Sequence, residues 1–194
     1  MNHSVAGALA FAGIELSLEG ARKLERLAYW LRVEAIPAGG LGPSEADIIE
    51  SRHIADSLMF AAAWEQPPEE CWDLGSGVGL PGLVLAIAWP ATRLVLIDRS
   101  AKRCHLARRA VRVLGLDTEV KQADLTSLVG SVGAIVSRAA MPASKLRPII
   151  EQLLAPGGSA VVSGGLEDEP GYERVKIPAG ALDQPVRHLI MRRP

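Results

Sequence analysis

Ten residues constrain this chain more than any others: Asp73-Leu-Gly-Ser-Gly-Val-Gly-Leu-Pro-Gly82. They follow a short apolar run, Cys71–Leu74, and open an apolar stretch of helical length, Leu80–Trp89. Glycines there let the backbone turn sharply and approach a ligand closely. The helix behind them turns free N–H groups and a positive field toward that ligand. Pro81 suits an early helix position, where its missing N–H costs nothing. Two registers fit. Gly77, Gly79 and Gly82 satisfy the dinucleotide pattern G-x-G-x-x-G, while Gly75, Gly77 and Gly79 satisfy G-x-G-x-G with Asp73 two residues ahead. A carboxylate at Asp73 would repel a pyrophosphate, which favours the second register.

The rest of the chain supplies the sheet such a loop needs. Strands are predicted at Cys71–Leu74, Arg93–Ile97, Thr118–Lys121, Ala134–Ser137 and Ser159–Ser163, with helices at Leu80–Trp89, Ala101–Leu114 and Ser144–Leu154 between them. This alternation predicts an α/β fold, a doubly wound parallel sheet with helices on both faces. Arg174–Ile177 and Val186–Met191 suit a terminal antiparallel pair. Ahead of the sheet, Leu24, Leu27, Ala28 and Leu31 recur at helical spacing within Ser17–Val33, with Ser17 as N-cap. Pro37–Pro43 breaks the chain, and Ser44 opens a second predicted helix running to Trp64. The expected organisation is a helical cap at 1–66 on an α/β unit at 67–194, together one compact body.

Two acids mark further ligand positions. Asp98 ends the run Leu94–Ile97, nineteen residues after Gly79, where a carboxylate can accept from ribose hydroxyls. The plainer alternative is a cap for the next helix, a task Ser100 could do alone. Asp124 follows the third predicted strand, in Lys121-Gln-Ala-Asp-Leu-Thr126, as a ligand contact or a simple turn residue.

The register Gly75, Gly77, Gly79 with Asp73 ahead resembles the first motif of class I methyltransferases, Rossmann-like proteins that bind S-adenosylmethionine. That resemblance implies a loop of Gly75, Ser76, Gly77 and Gly79 around the methionine part and an acid, Asp73, near its cationic amino end. Further pieces narrow it. Arg52-His53-Ile-Ala-Asp56-Ser57-Leu58, Gly79-Leu-Pro-Gly82, Ile97-Asp98, Lys102-Arg103, Ser137-Arg138-Ala139 and Arg187-His188-Leu189 occur in order. Together they resemble the bacterial 16S rRNA guanine-N7 methyltransferase family, also called glucose-inhibited division protein B, from about Leu16 to Met191. The resemblance implies transfer from S-adenosylmethionine to a guanine of small-subunit rRNA, free or in the 30S particle. It implies donor contacts at Gly75, Leu80, Leu125, Thr126 and Arg138.

The sequence departs from that family at three polar positions. Trp30-Leu-Arg-Val-Glu-Ala-Ile-Pro37 lacks the family's asparagines, Asp124 stands where an arginine is common, and Val161-Val-Ser-Gly-Gly165 lacks a lysine after the fifth strand. The donor side is thus kept and the acceptor side altered. That leaves open a methyltransferase with another acceptor, and a non-catalytic RNA- or ribosome-binding relative that keeps the pocket. Guanine N7 has a free lone pair, so no general base is needed and alignment can supply most of the rate. Arg138, just past the fourth strand, is the residue expected to act in donor binding or acceptor orientation. Arg52 and Asp56 are spaced to pair on a helix, and His53 is expected to pack.

Charge sharpens the partner question. Residues 1–97 carry six Lys/Arg against twelve Asp/Glu, and residues 98–194 carry fifteen against ten. The near-neutral total therefore hides a basic second half, which suits either an arginine-rich composition or a nucleic-acid face. Arg52, Lys102 and Arg103 are the candidate RNA-phosphate contacts, and such contacts make affinity fall with salt. Aromatics make up only 4% of residues, so a base-stacking platform is not expected. The two cysteines give no disulfide framework or metal set, and no apolar run approaches the ~20 residues of a membrane span. A cytoplasmic monomer without metal is the expectation.

Overall fold

The computed structural model describes residues 2–164, 169–177 and 187–194. Among the described residues, seven strands form one sheet: β1 (Glu70–Leu74), β2 (Arg93–Asp98), β3 (Thr118–Gln122), β4 (Val132–Ser137), β5 (Leu154–Ser163), β6 (Glu173–Arg174) and β7 (His188–Arg192). Their spatial order is β3-β2-β1-β4-β5-β7-β6. The first five run parallel, and β7 is antiparallel to both β5 and β6. The order reverses between β1 and β4, the place where open α/β sheets bind ligands. Residues 165 and 186, which the sequence reading used, lie outside the described residues.

Six α-helices among the described residues accompany the sheet: α1 (His3–Phe11), α2 (Leu18–Trp30), α3 (Ala55–Met59), α4 (Gly82–Ala88), α5 (Ala101–Leu114) and α6 (Ala143–Leu153). Ser17 caps α2 by accepting the Gly20 N–H at 3.0 Å. α1 was not expected, because its apolar residues show no one-sided pattern. It is capped by Asn2, whose Oδ1 accepts the Ser4 N–H at 2.7 Å. The single helix expected over Ser44–Trp64 is instead four short pieces: a 3₁₀ turn (Pro43–Ile48), a π-helical turn (Ile49–Ile54), α3, and a 3₁₀ turn (Phe60–Ala63). Alternating helix pitch rotates successive side chains off one stripe. It buries Ile49, Ile54, Leu58 and Met59 while sending His53 and Asp56 toward the sheet edge.

One apolar cluster joins the N-terminal segments to one face of the sheet, with Leu27, Trp30 and Leu58 packed among Leu83, Val84 and Ala107. A second, around Ile135, Leu146 and Ile150, lies beneath α6. Leu94, Leu96 and Ile97 on β2 are all buried, as expected for a central parallel strand.

The start of α4 is packed to contact. A Cβ at Gly82 would stand 2.1 Å from Leu96 Cδ2 and 2.8 Å from Asp73 Oδ2. Gly82→Ala is therefore expected to destabilise the fold by about 1–3 kcal/mol, the usual cost of overpacking. Urea unfolding measures it, and an unchanged midpoint would contradict this packing.

Candidate functional site

The carboxyl ends of β1, β2, β4 and β5 and the irregular segment 40–56 enclose a cavity of about 880 Å³. Its floor is the glycine loop. Gly75 has φ +74°, and a Cβ there would meet Ala140 Cβ at 2.2 Å, so only glycine fits. The Gly75 and Ser76 N–H groups both donate to Ile97 O, at 2.8 and 3.0 Å. The Gly77 N–H donates to Asp98 Oδ2 at 3.0 Å.

Asp98 ties this loop to α5. Its other oxygen accepts the Ser100 N–H at 2.8 Å, while Ser100 itself caps α5. A carboxylate has about four acceptor sites, so each oxygen keeps capacity for a further donor. Asp124 forms a turn: Oδ1 accepts the Thr126 N–H at 2.9 Å and the Thr126 hydroxyl at 2.7 Å. Those two bonds hold its carboxyl below the usual range. Asp124, Leu125 and Thr126 all line the cavity.

Arg138 enters from the end of β4, a strand locked to β1 by the Ser137 hydroxyl donating to Leu74 O at 2.7 Å. Its Nη1 lies 3.4 Å from Asp56 Oδ2 and its Nη2 lies 3.2 Å from His53 Nδ1. His53 Nε2 is 2.7 Å from Glu45 Oε2, and Asp56 Oδ1 is 2.9 Å from His188 Nε2. Where the spacing offered Arg52 to Asp56, the fold gives Asp56 to His188 and Arg138. After Arg138 the chain turns at Ala139 (φ +53°), whose N–H donates to Ser163 Oγ at 2.8 Å. Ser163 and Gly164 thus form cavity wall where the resemblance led one to look for a lysine.

Of the fourteen residues singled out from the sequence, eleven line the cavity: Arg52, Gly75, Ser76, Gly77, Leu80, Asp98, Arg103, Asp124, Leu125, Thr126 and Arg138. Asp73, Gly79 and Lys102 stand outside its wall. Gly79 serves the loop's path, with φ +105° and Leu83 pressed against it. Lys102 points toward the Gly39 turn. Arg99 and Arg187 take the rim instead, and Arg103 Nη1 stands 3.8 Å from Asp98 Oδ2. Of the other basic residues of α5, Arg108 donates to Val120 O and Arg109 pairs with Glu34. No spacing rule could have found Ser163 or His188, whose partners are distant in sequence, nor Glu45, which meets His53 eight residues on across a change of helix pitch.

Asp73 is fully buried beneath the loop. Its Oδ2 accepts the Gly82 N–H at 2.8 Å, and its Oδ1 has no partner among the described residues. Burial pushes its carboxyl up from 3.8 to about 7; Asp98 adds to the rise, and the Gly82 N–H and Arg138 oppose it. The folded chain therefore keeps a proton that the unfolded chain releases near pH 4. That stabilisation is complete below pH 4 and lost as pH rises through 7, a span of at most about 4 kcal/mol. Asp73→Asn cannot ionise, so it is expected to flatten the fall of melting temperature between pH 5 and 8. Parallel wild-type and variant curves would refute the buried proton.

Comparison with known proteins follows the same lines. Residues 21–178 match the family described as rRNA small subunit methyltransferase G. A relative named ribosomal RNA small subunit methyltransferase G from Mycobacterium leprae is 36% identical over 156 residues, covering 76% of this chain and 63% of the relative. One of the same name from Acidothermus cellulolyticus is 34% identical over 134 residues, covering 69% and 60%. The chain thus spans under two thirds of the length of these two relatives. Among solved structures, an RNA methyltransferase from Salinibacter ruber in complex with S-adenosyl-L-homocysteine aligns with a TM-score of 0.53 at 22% identity, covering 65% of this chain and 81% of that one. TehB from Haemophilus influenzae aligns at 0.56 and 14%, covering 77% and 66%. These likenesses are of fold. With four fifths of the sequence under one family match and curated relatives above 30% identity, the chain belongs to the rRNA small subunit methyltransferase G family.

Proposed function

We propose that this protein transfers the methyl group of S-adenosylmethionine to N7 of a guanine in small-subunit rRNA, acting as a monomer on the RNA or the 30S particle. One observation carries the reading. The glycine loop, Asp98, the Asp124–Thr126 turn and Arg138 converge on one cavity at the switch point of the sheet. At about 880 Å³ it lies at the upper end for a small-ligand site, with room for a donor and part of an acceptor. The residues suit the donor: the buried Ser76 hydroxyl on the wall has no partner among the described residues, and a Cβ at Gly77 would meet no described atom within 4 Å.

The donor supplies a methyl on a sulfonium: the guanine N7 lone pair forms the new N–C bond while the S–C electrons return to sulfur. No proton moves. Asp98 is positioned to accept from ribose hydroxyls, and the turn Asp124–Thr126 to bound the adenine. Arg138 orients the acceptor, and its N–H fork suits guanine O6 or an adjacent phosphate. Arg52, Arg99, Arg103 and Arg187 at the rim would meet the RNA backbone. The test has two arms. Calorimetry with S-adenosylhomocysteine and with NAD should show binding of the first alone. Labelled methyl groups should enter 30S subunits or naked 16S rRNA at a guanine N7. Tight S-adenosylhomocysteine binding without transfer would instead support the non-catalytic RNA-binding reading. Transfer to another acceptor would support the diverged one, which Ser163 and Gly164 at the wall favour.

A further inference from the structure

Five polar side chains, with His53 and His188 buried among them, form one hydrogen-bonded chain at the cavity wall: Glu45, His53, Arg138, Asp56, His188. It draws on the 3₁₀ turn, the π turn with α3, the loop after β4, and β7. Each link fixes a proton. A carboxylate only accepts, so His53 Nε2 donates to Glu45 at 2.7 Å. A guanidinium only donates, so His53 Nδ1 accepts from Arg138 at 3.2 Å. Together these bonds require the neutral ring with its hydrogen on Nε2. Asp56 accepts from Arg138 Nη1 at 3.4 Å and from His188 Nε2 at 2.9 Å. The His188 ring packs on Phe60 at 4.1 Å between centroids, and its buried Nδ1 has no partner among the described residues.

We infer that His53 and Asp56, backed by Glu45 and His188, are positioning residues that hold the Arg138 guanidinium in one orientation, and do so only while His53 is neutral. The consequence for rate rests on the methyl-transfer reading; the geometry does not. The charged groups facing His53 are Glu45 from the 3₁₀ turn, Arg138 from the loop after β4, and Arg52 on its own turn. Burial and the Arg138 charge push the ring below its ordinary 6.5, Glu45 opposes them, and Arg52 adds to the fall. Burial pushes the Asp56 carboxyl up, but the bond and charge of His188, with Arg138, outweigh it and keep the carboxyl below its usual range. Protonation of His53 breaks the chain at its Arg138 link. The protonated ring can no longer accept from Arg138, and two cations then share one wall.

Two readouts test this. Nitrogen-15 NMR of the wild-type chain should show His53 as the Nε2–H tautomer at neutral pH. Arg138 should show slowly rotating Nη groups that are released as His53 titrates. Glu45→Gln keeps an acceptor for Nε2–H but removes its charge, so the titration should move to lower pH. In transfer from S-adenosylmethionine to 30S subunits, the acid limb should share that midpoint and move with it. His53→Leu should lower the rate by about tenfold or more and abolish the limb, since small misplacements of this kind reach a hundredfold. His53→Asn, whose amide oxygen can accept from Arg138, should recover part of the rate without restoring the limb. Rates lowered equally at every pH, with the Glu45→Gln limb unmoved, would overturn the inference. So would an Nδ1–H tautomer or a freely rotating Arg138, whether or not the protein is active. The expected NMR signature in a wild-type chain that methylates nothing would uphold the positioning and overturn the methyl-transfer reading.

Discussion

Replacing Arg138 by alanine is expected to cut methyl transfer by about tenfold or more and to destabilise the fold by about 3 kcal/mol, the low end for breaking a buried ion pair. The two effects share a cause. The Arg138 side chain is 13% exposed and serves Asp56 and His53 at once. Its removal leaves Asp56 with the His188 Nε2–H as its hydrogen-bond partner among the described residues, which places the cost at the lower bound. Arg138→Lys separates the contributions. Lysine keeps the charge but is a single point rather than a planar fork, so it cannot reach Asp56 and His53 in the same geometry. It should recover most of the stability and little of the rate. Rates are to be taken well below each variant's melting temperature, with urea unfolding alongside. Turnover unchanged in Arg138→Ala would remove this residue from the site. Equal recovery of rate and stability in Arg138→Lys would make it a structural cation only.

Much of this architecture is legible in the sequence, because parallel strands and their helices obey local rules. Cys71–Leu74 and Arg93–Ile97 are short buried runs with turns on both sides, and β1 and β2 fall there within a residue. The glycine loop is legible because each glycine answers a local demand, as Gly75 does at φ +74°. The cap is legible only as helical. Its 43–63 stretch changes pitch three times, and no periodicity rule anticipates that, because tertiary packing selects it. The residues proposed for the donor cluster near strand ends, so their spacing announces them. The polar chain behind Arg138 does not: Asp56 and His188 stand 132 positions apart and meet only after β7 inserts beside β5. Asp73 illustrates the opposite limit. Its position ahead of the loop is plain in the sequence, yet only the fold shows that it caps α4 from below, outside the cavity wall.

Asp98→Ala is expected to weaken S-adenosylhomocysteine binding by about 10- to 100-fold, from bonds to a charged acceptor worth about 1.5–3 kcal/mol. Two parts of that loss can be told apart. One is direct, the acceptor sites left on a carboxylate that is 4% exposed yet lines the cavity. The other is indirect, since the Gly77 and Ser100 N–H groups would lose their partner and the loop its tie to α5. Asp98→Asn keeps one oxygen for Gly77 or Ser100 but offers an amide N–H in place of the second acceptor. If ribose recognition dominates, the asparagine variant binds nearly as poorly as the alanine one while melting close to the wild type. If the tie dominates, asparagine restores both. Calorimetry and thermal unfolding on the three proteins decide between them. Affinity unchanged in Asp98→Ala would reduce Asp98 to a brace for the loop and force the donor's ribose onto other groups of the cavity.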